Sequence, residues 1–252
     1  MVIRKLMALI FLMILVSCTT TEVAPESQTM ALLEKAKALR LRGEKVEQSL
    51  YRKKDSIEGL SAGESVRRVQ ERSNFVNIAK ISDDFVFDMK YATRDNFLKK
   101  QVYDCAKCLV RDEVAKALIA ANNDLQKQGY RIKFFDCYRP HSVQKKMWKI
   151  FPNPGYVANP KGGSIHNKGA AVDITLVRSG GGAIDMGTKF DHFGKKAHHA
   201  YTKLSKEVLA NRKLLRTTME KHGFKTIKTE WWHYNFKSNQ GYKISDFRWD
   251  CD

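Results

Sequence analysis

The stretch Ser164-Ile-His-Asn-Lys-Gly-Ala-Ala-Val-Asp-Ile-Thr-Leu176 (SIHNKGAAVDITL) passes from a polar loop into an apolar run. Residues 170–177, AAVDITLV, read as a strand. Its alternation sends Val172 and Ile174 to one face and Ala171, Asp173 and Thr175 to the other. An aspartate centred in so apolar a strand needs a partner, because an unpaired buried carboxylate is costly. A metal ion would supply one, and His166 lies in the loop just ahead.

A second stretch supplies what the first lacks. TEWWHYNF, residues 229–236, boxes two tryptophans between Glu230 and His233. Two histidines and one carboxylate, with a fourth position left for water, are a donor set that catalytic zinc commonly takes. His166, Asp173 and His233 make such a set. Glu230, beside the third ligand but not itself a ligand, is then placed to take a proton from that water. Singly, each residue has a plainer role: a structural histidine, an aspartate paired with one of many lysines, Trp231 and Trp232 packed on opposite faces of a strand end. Together they point to one metal centre with a base next to it.

Outward from these stretches the compact domain is expected to start near residue 75. FVFDMKYAT (85–93) alternates like a strand, and DEVAKALIAANNDLQKQG (112–129) is an amphipathic helix with Asp112 placed to cap it and Gly129 to end it. YRIKFFDCY (130–138) alternates again, and Pro140 opens a short helix through Trp148. Residues 152–164 are a loop by composition, 198–223 read as a long helix stopped by Gly223 that puts His198 and His199 on its surface, and 224–236 read as a closing strand. Strands and helices interleave irregularly, so an α+β fold with a largely antiparallel sheet packed with helices is predicted over a doubly wound one.

With 43% hydrophobic and 10% aromatic residues the 252-residue chain is globular rather than disordered. Its formal charge of +18 favours anionic partners, but the Lys and Arg are scattered and no nucleic-acid-binding module accompanies them. An anionic membrane or envelope is the expected partner, and nucleic acid is not. Arg4 and Lys5, the apolar run Leu6 to Val16 and Leu15-Val16-Ser17-Cys18 read as a secretory signal too short to span a membrane. Leu-Val-Ser-Cys resembles the bacterial lipobox, which implies cleavage before Cys18 and lipidation of its sulfur. The expected organisation is a signal peptide over 1–17, a linker over 18–29, an N-terminal helical extension over 30–74 with a heptad-like pattern, and the functional domain over 75–252. Outside the cytoplasm the remaining cysteines, Cys105, Cys108, Cys137 and Cys251, favour two disulfides over a zinc knuckle or a redox pair, in any of three pairings.

Ser164-Ile-His166-Asn-Lys-Gly169-Ala-Ala171-Val-Asp173 and Glu230-Trp-Trp232-His233 resemble the two metal motifs of the zinc D,D-peptidases, which share a fold with the hedgehog signalling domain. KYATRDNF (90–97), FDCYRP (135–140), DMGTKFD (185–191) and EWWHY (230–234) resemble the D-alanyl-D-alanine dipeptidases of the vancomycin-resistance type, over roughly residues 80–250. The resemblance implies one zinc per chain on His166, Asp173 and His233, with Glu230 as general base and Arg139 stabilising the tetrahedral intermediate. Ser164 would bond the substrate or hold the loop, and Asp191 is the candidate to receive the substrate's ammonium. The implied activity is hydrolysis of D-Ala-D-Ala or related peptidoglycan fragments in the bacterial cell envelope. The alternatives are a D,D-carboxypeptidase that trims stem peptides and a non-catalytic zinc-containing binding domain.

Overall fold

A computed structural model describes residues 74–251. The expected signal peptide, Cys18, the expected linker and the heptad-like pattern lie outside the described residues. Within them the strands are β1 (Phe75–Asn77), β2 (Val86–Phe87), β3 (Leu109–Arg111), β4 (Tyr130–Asp136), β5 (Ala171–Arg178), β6 (Phe224–Thr226) and β7 (His233–Phe236). The helices are α1 (Asp112–Gln126), α2 (His141–Ile150) and α3 (Lys206–Lys221). Five strands form one sheet in the order β2-β4-β5-β7-β6, and β1 pairs with β3 in a small second sheet. Only the β2–β4 pair is parallel, so the α+β, largely antiparallel expectation matches the fold.

β5 is the middle of the large sheet, and Ala171 through Val177 are all buried. Val172, Ile174 and Leu176 pack with Ile132 and Phe134 of β4 and with Leu118 of α1 and Leu215 and Met219 of α3. Each fully buried side chain of this size contributes roughly 1.5–3 kcal/mol. Because that face is committed to the helices, Asp173 faces the other way. There the antiparallel register sets it opposite His233 on β7 and Asp136 on β4, past a register shift after Phe134. A single rung therefore carries Asp136, Asp173 and His233.

Several elements differ from the sequence-based expectation. Of residues 85–93 only Val86–Phe87 is strand, and Lys90–Ala92 is a 3-10 turn. The Thr93 hydroxyl donates to the Lys90 carbonyl at 3.0 Å, and the Asn96 amide to the carbonyls of Lys90, Thr93 and Lys100. These local bonds outcompete a ladder. Asp112 is the first residue of α1 rather than its cap, since Arg111 is still extended in β3; it pairs instead with Lys116 at 2.6 Å. The helix expected over 198–223 begins only at Lys206, where the Ser205 hydroxyl accepts from the Val208 amide at 3.2 Å. His198 and His199 thus precede the helix instead of lying on its surface, and the Lys196 and His198 carbonyls are taken by the Arg212 guanidinium. The closing strand is broken into β6 and β7, with Glu230 in the bend between them. A continuous strand would send Trp231 and Trp232 to opposite faces; here both are buried in the core, edge to face with centroids 5.4 Å apart.

The loop ahead of β5 is a 3-10 turn, Ile165–Lys168, closed at both ends. Ser164 accepts from the His166 amide, the Asn167 side chain accepts from the Ser164 amide at 2.7 Å, and Gly169 takes the left-handed conformation with φ 69°. A β-carbon at Gly169 would land within the Phe75 ring. Gly169→Ala is therefore expected to destabilise the domain by about 1–3 kcal/mol from backbone strain alone, with the clash added. Chemical denaturation reads this, and an unchanged midpoint would contradict the account of the turn.

Candidate active site

The rung and the turn bring three side chains together. Asp173 Oδ1 stands 3.0 Å from His233 Nδ1, His166 Nε2 is 3.2 Å from His233 Nδ1, and His166 Nε2 is 3.4 Å from Asp173 Oδ1. All three residues are buried. The outer ring nitrogens are committed elsewhere: His166 Nδ1 donates to the Cys137 carbonyl at 2.7 Å, and His233 Nε2 to Asn235 Oδ1 at 2.9 Å. An oxygen acceptor on the outer nitrogen fixes the tautomer and leaves the inner nitrogen bare. In those neutral tautomers two imine nitrogens and a carboxylate oxygen converge, the kind of donor set that a metal ion takes. Donors ~2.0–2.2 Å from a tetrahedral ion stand roughly 3.3–3.6 Å apart, so the set matches a metal ion of that kind in donor type and, at 3.0–3.4 Å, is a few tenths of an ångström tighter than that spacing.

These residues line one cleft of about 350 Å³, together with Arg139, Ser164, Asp191 and Glu230. Glu230 reaches it because the chain bends before β7. Burial lifts the Glu230 carboxyl above its usual range, His233 opposes this, and the Asp173 charge reinforces it. Ser164, whose two readings were a substrate contact and a loop-holding role, makes the second of these contacts through the His166 amide at 3.3 Å.

Arg139 enters from the segment after β4. Its Nε and Nη2 donate to Asp136 Oδ2 at 3.1 and 2.7 Å, and its Nη1 to Gln144 Oε1 at 2.9 Å. These contacts engage three of the roughly five N–H groups that a guanidinium carries. Asp136, wholly buried, also accepts from Tyr103 Oη at 2.6 Å and from the Cys137 amide at 2.9 Å. Arg139 is thus a charge fixed in place by a buried counter-ion, at one edge of the cleft.

Asp191 sits at another edge, in the left-handed conformation with φ 58°. Tyr91 Oη lies 3.2 and 3.1 Å from its two carboxylate oxygens. Burial pushes the Asp191 carboxyl well above the carboxylate range and the Asp173 charge adds to this, against the Tyr91 bond. A divalent cation beside Asp173 would offset the like-charge part. Asp185, in the same segment, is exposed and accepts from the Gly187 amide instead.

Asp136, Tyr91, Gln144 and Asn235 were not singled out from the sequence. Asp136 and Tyr91 lie inside FDCYRP and KYATRDNF, and Asn235 follows His233 at the two-residue spacing that keeps strand neighbours on one face. Asp136, Gln144 and Asn235 bond side chains two to five residues away, whereas Tyr91–Asp191 and Asp136–Tyr103 join residues far apart in sequence, which residue spacing alone does not reveal.

A metal-dependent peptidase on an α+β sheet is the class that this fold and site define. The model of the D-Ala-D-Ala dipeptidase family matches residues 71–249, and the chain belongs to that family. It is 31% identical over 183 residues to the D-alanyl-D-alanine dipeptidase of Escherichia coli K12, covering 73% of this chain and 95% of the relative. It is 34% identical over 172 residues to the D-alanyl-D-alanine dipeptidase of Enterococcus faecium, covering 59% of this chain and 84% of the relative. A solved vancomycin-resistance D,D-pentapeptidase in complex with Zn(II) aligns at 18% identity over 53% of this chain and 75% of that one, with a TM-score of 0.33, a likeness too slight to bear on the function.

Proposed function

We propose that the cleft hydrolyses D-Ala-D-Ala, with one zinc ion held by His166, Asp173 and His233 and with Glu230 as general base. The observation that carries this reading is the convergence of three metal-ligating atoms at 3.0–3.4 Å on the wall that Glu230 shares. When bound, zinc supplies Lewis acidity toward a peptide carbonyl and acidifies a neighbouring water. Glu230 takes the proton of the attacking water and delivers it to the leaving amine. Its burial-raised carboxyl moves its proton affinity toward the operating pH, as a group that both accepts and returns a proton requires. Arg139, fixed by Asp136 and Gln144, turns its remaining donors to the charge that develops on the carbonyl oxygen, a contribution of about 3 kcal/mol for one well-placed donor.

Asp191 sets the length of the substrate. A free ammonium next to Asp191 and the Tyr91 hydroxyl neutralises a carboxylate that burial otherwise disfavours. An acylated amine brings no such charge and leaves the carboxylate buried and unpaired, at a cost of about 1–3 kcal/mol. The reading therefore favours a dipeptidase over a carboxypeptidase that trims longer stems. The leader supports the further proposal that the chain is exported and held at the envelope by lipid on Cys18, where it meets dipeptide released from peptidoglycan. Two paired disulfides accord with an oxidising compartment.

Steady-state kinetics on D-Ala-D-Ala and its N-acetyl form test the function. The free dipeptide should be the better substrate by roughly 10–100-fold in kcat/KM, and Glu230→Gln should lower turnover by ~10²–10⁴-fold. Equal rates on the two substrates would make the enzyme a carboxypeptidase, and full turnover by Glu230→Gln would remove Glu230 from its role. For the anchor, Cys18→Ser should shift the protein out of the membrane fraction of expressing cells; unchanged fractionation would sink that part.

A further inference from the structure

The chain leaves the large sheet at Asp136, just after the register shift in β4. The next residue, Cys137, contributes nothing to the cleft with its side chain, yet its carbonyl accepts the hydrogen bond from His166 Nδ1 at 2.7 Å. That bond selects the His166 tautomer and aims Nε2 at Asp173 and His233. What holds the carbonyl still is therefore part of what holds the metal ligand.

Beyond the strand end no ladder bond is available to do this, and the segment is anchored from the side. Cys137 is joined to Cys108 by a disulfide, and both residues are buried, at 0% and 1% exposure. Cys108 is itself fixed, since its carbonyl accepts from the Ile78 amide at 3.0 Å, and the adjacent Leu109 carbonyl accepts from the Tyr138 amide at 2.8 Å. On the far side the Arg139 amide donates to the His166 carbonyl at 3.1 Å. The β3 edge, the disulfide, the Cys137 carbonyl and the His166 ring thus form a continuous chain of contacts ending at the ligand. The second disulfide, Cys105–Cys251, ties the C-terminal end to an exposed edge and touches none of these groups.

We propose that the Cys108–Cys137 disulfide is a positioning element of the metal site, holding the Cys137 carbonyl that orients His166, so that metal affinity depends on this bond and not on Cys105–Cys251. The inference rests on the zinc reading given above. Loss of a group that orients a metal-bound histidine typically lowers affinity by 10–100-fold, and the same range is expected here.

The experiment measures the zinc dissociation constant of the full chain by competition with a chromogenic chelator, for the unaltered protein, Cys108→Ala/Cys137→Ala and Cys105→Ala/Cys251→Ala. The first double variant should bind zinc ~10–100-fold more weakly while its circular dichroism stays native, and the second should stay within about twofold of the unaltered protein. If the unaltered protein binds no zinc, the metal reading fails, and this inference with it. If it binds zinc and Cys108→Ala/Cys137→Ala folds with unchanged affinity, only the present inference is overturned. Equal losses in the two double variants would also overturn it, by reducing the effect to general stapling. So would a Cys108→Ala/Cys137→Ala chain that stays unfolded in saturating zinc, because the bond would then serve the fold and not the site.

Discussion

Three metal-ligating atoms brought together in the wall of one cleft are the constraint on which the rest of this structure depends. Asp173 Oδ1, His166 Nε2 and His233 Nδ1 lie 3.0–3.4 Å apart in the cleft wall, and the outer nitrogen of each imidazole hydrogen-bonds an outward partner. Such closely spaced buried groups need a shared proton or a cation between them. A cation resolves the conflict, and the fold accepts the arrangement because β5 separates its two faces. One is filled with Val172, Ile174 and Leu176 against the helices; the other is free to carry Asp173 between its neighbours on β4 and β7.

Around that point the chain places three further carboxylates and gives each a different partner. Asp136 is neutralised by the Arg139 guanidinium and two more donors, so its charge is spent on holding that arginine. Asp191 has the Tyr91 hydroxyl, a neutral donor, and is the one carboxylate whose surroundings call for a cation from outside. Glu230 is raised by burial at the cleft wall, which suits a group that must gain and lose a proton. One functional group, the carboxyl, thus meets three different surroundings, on which the proposed roles of counter-ion, ammonium receptor and base rest.

The sequence made the centre of this site legible and left its surroundings obscure. Asp173 stood out because a carboxylate interrupts an apolar strand, and Glu230 and His233 because they flank two tryptophans. Asp136 drew no attention: at the end of a strand it looks like any terminal polar residue, and its value comes from a register shift and from Tyr103 and Arg139. Fold class followed from the interleaving of elements, whereas element ends did not. The late start of α3 depends on Ser205 and on Arg212 reaching back to two carbonyls, and the break before β7 on where two indoles find room. The Ser205 cap is local, whereas the Arg212 bonds and the burial of both indoles are tertiary effects competing with a local periodic pattern. The disulfide pairing, open among three choices in sequence, is decided by the approach of the β3 edge to the end of β4.

The central claim is that the converging donors hold a single zinc ion. Native mass spectrometry of the purified full chain, calibrated against elemental analysis, measures this directly. The account predicts about one zinc per chain in the unaltered protein, its loss in His166→Ala and in His233→Ala, and its retention in Glu230→Gln. Full zinc content in the two histidine variants, or loss of the ion in Glu230→Gln, would contradict it.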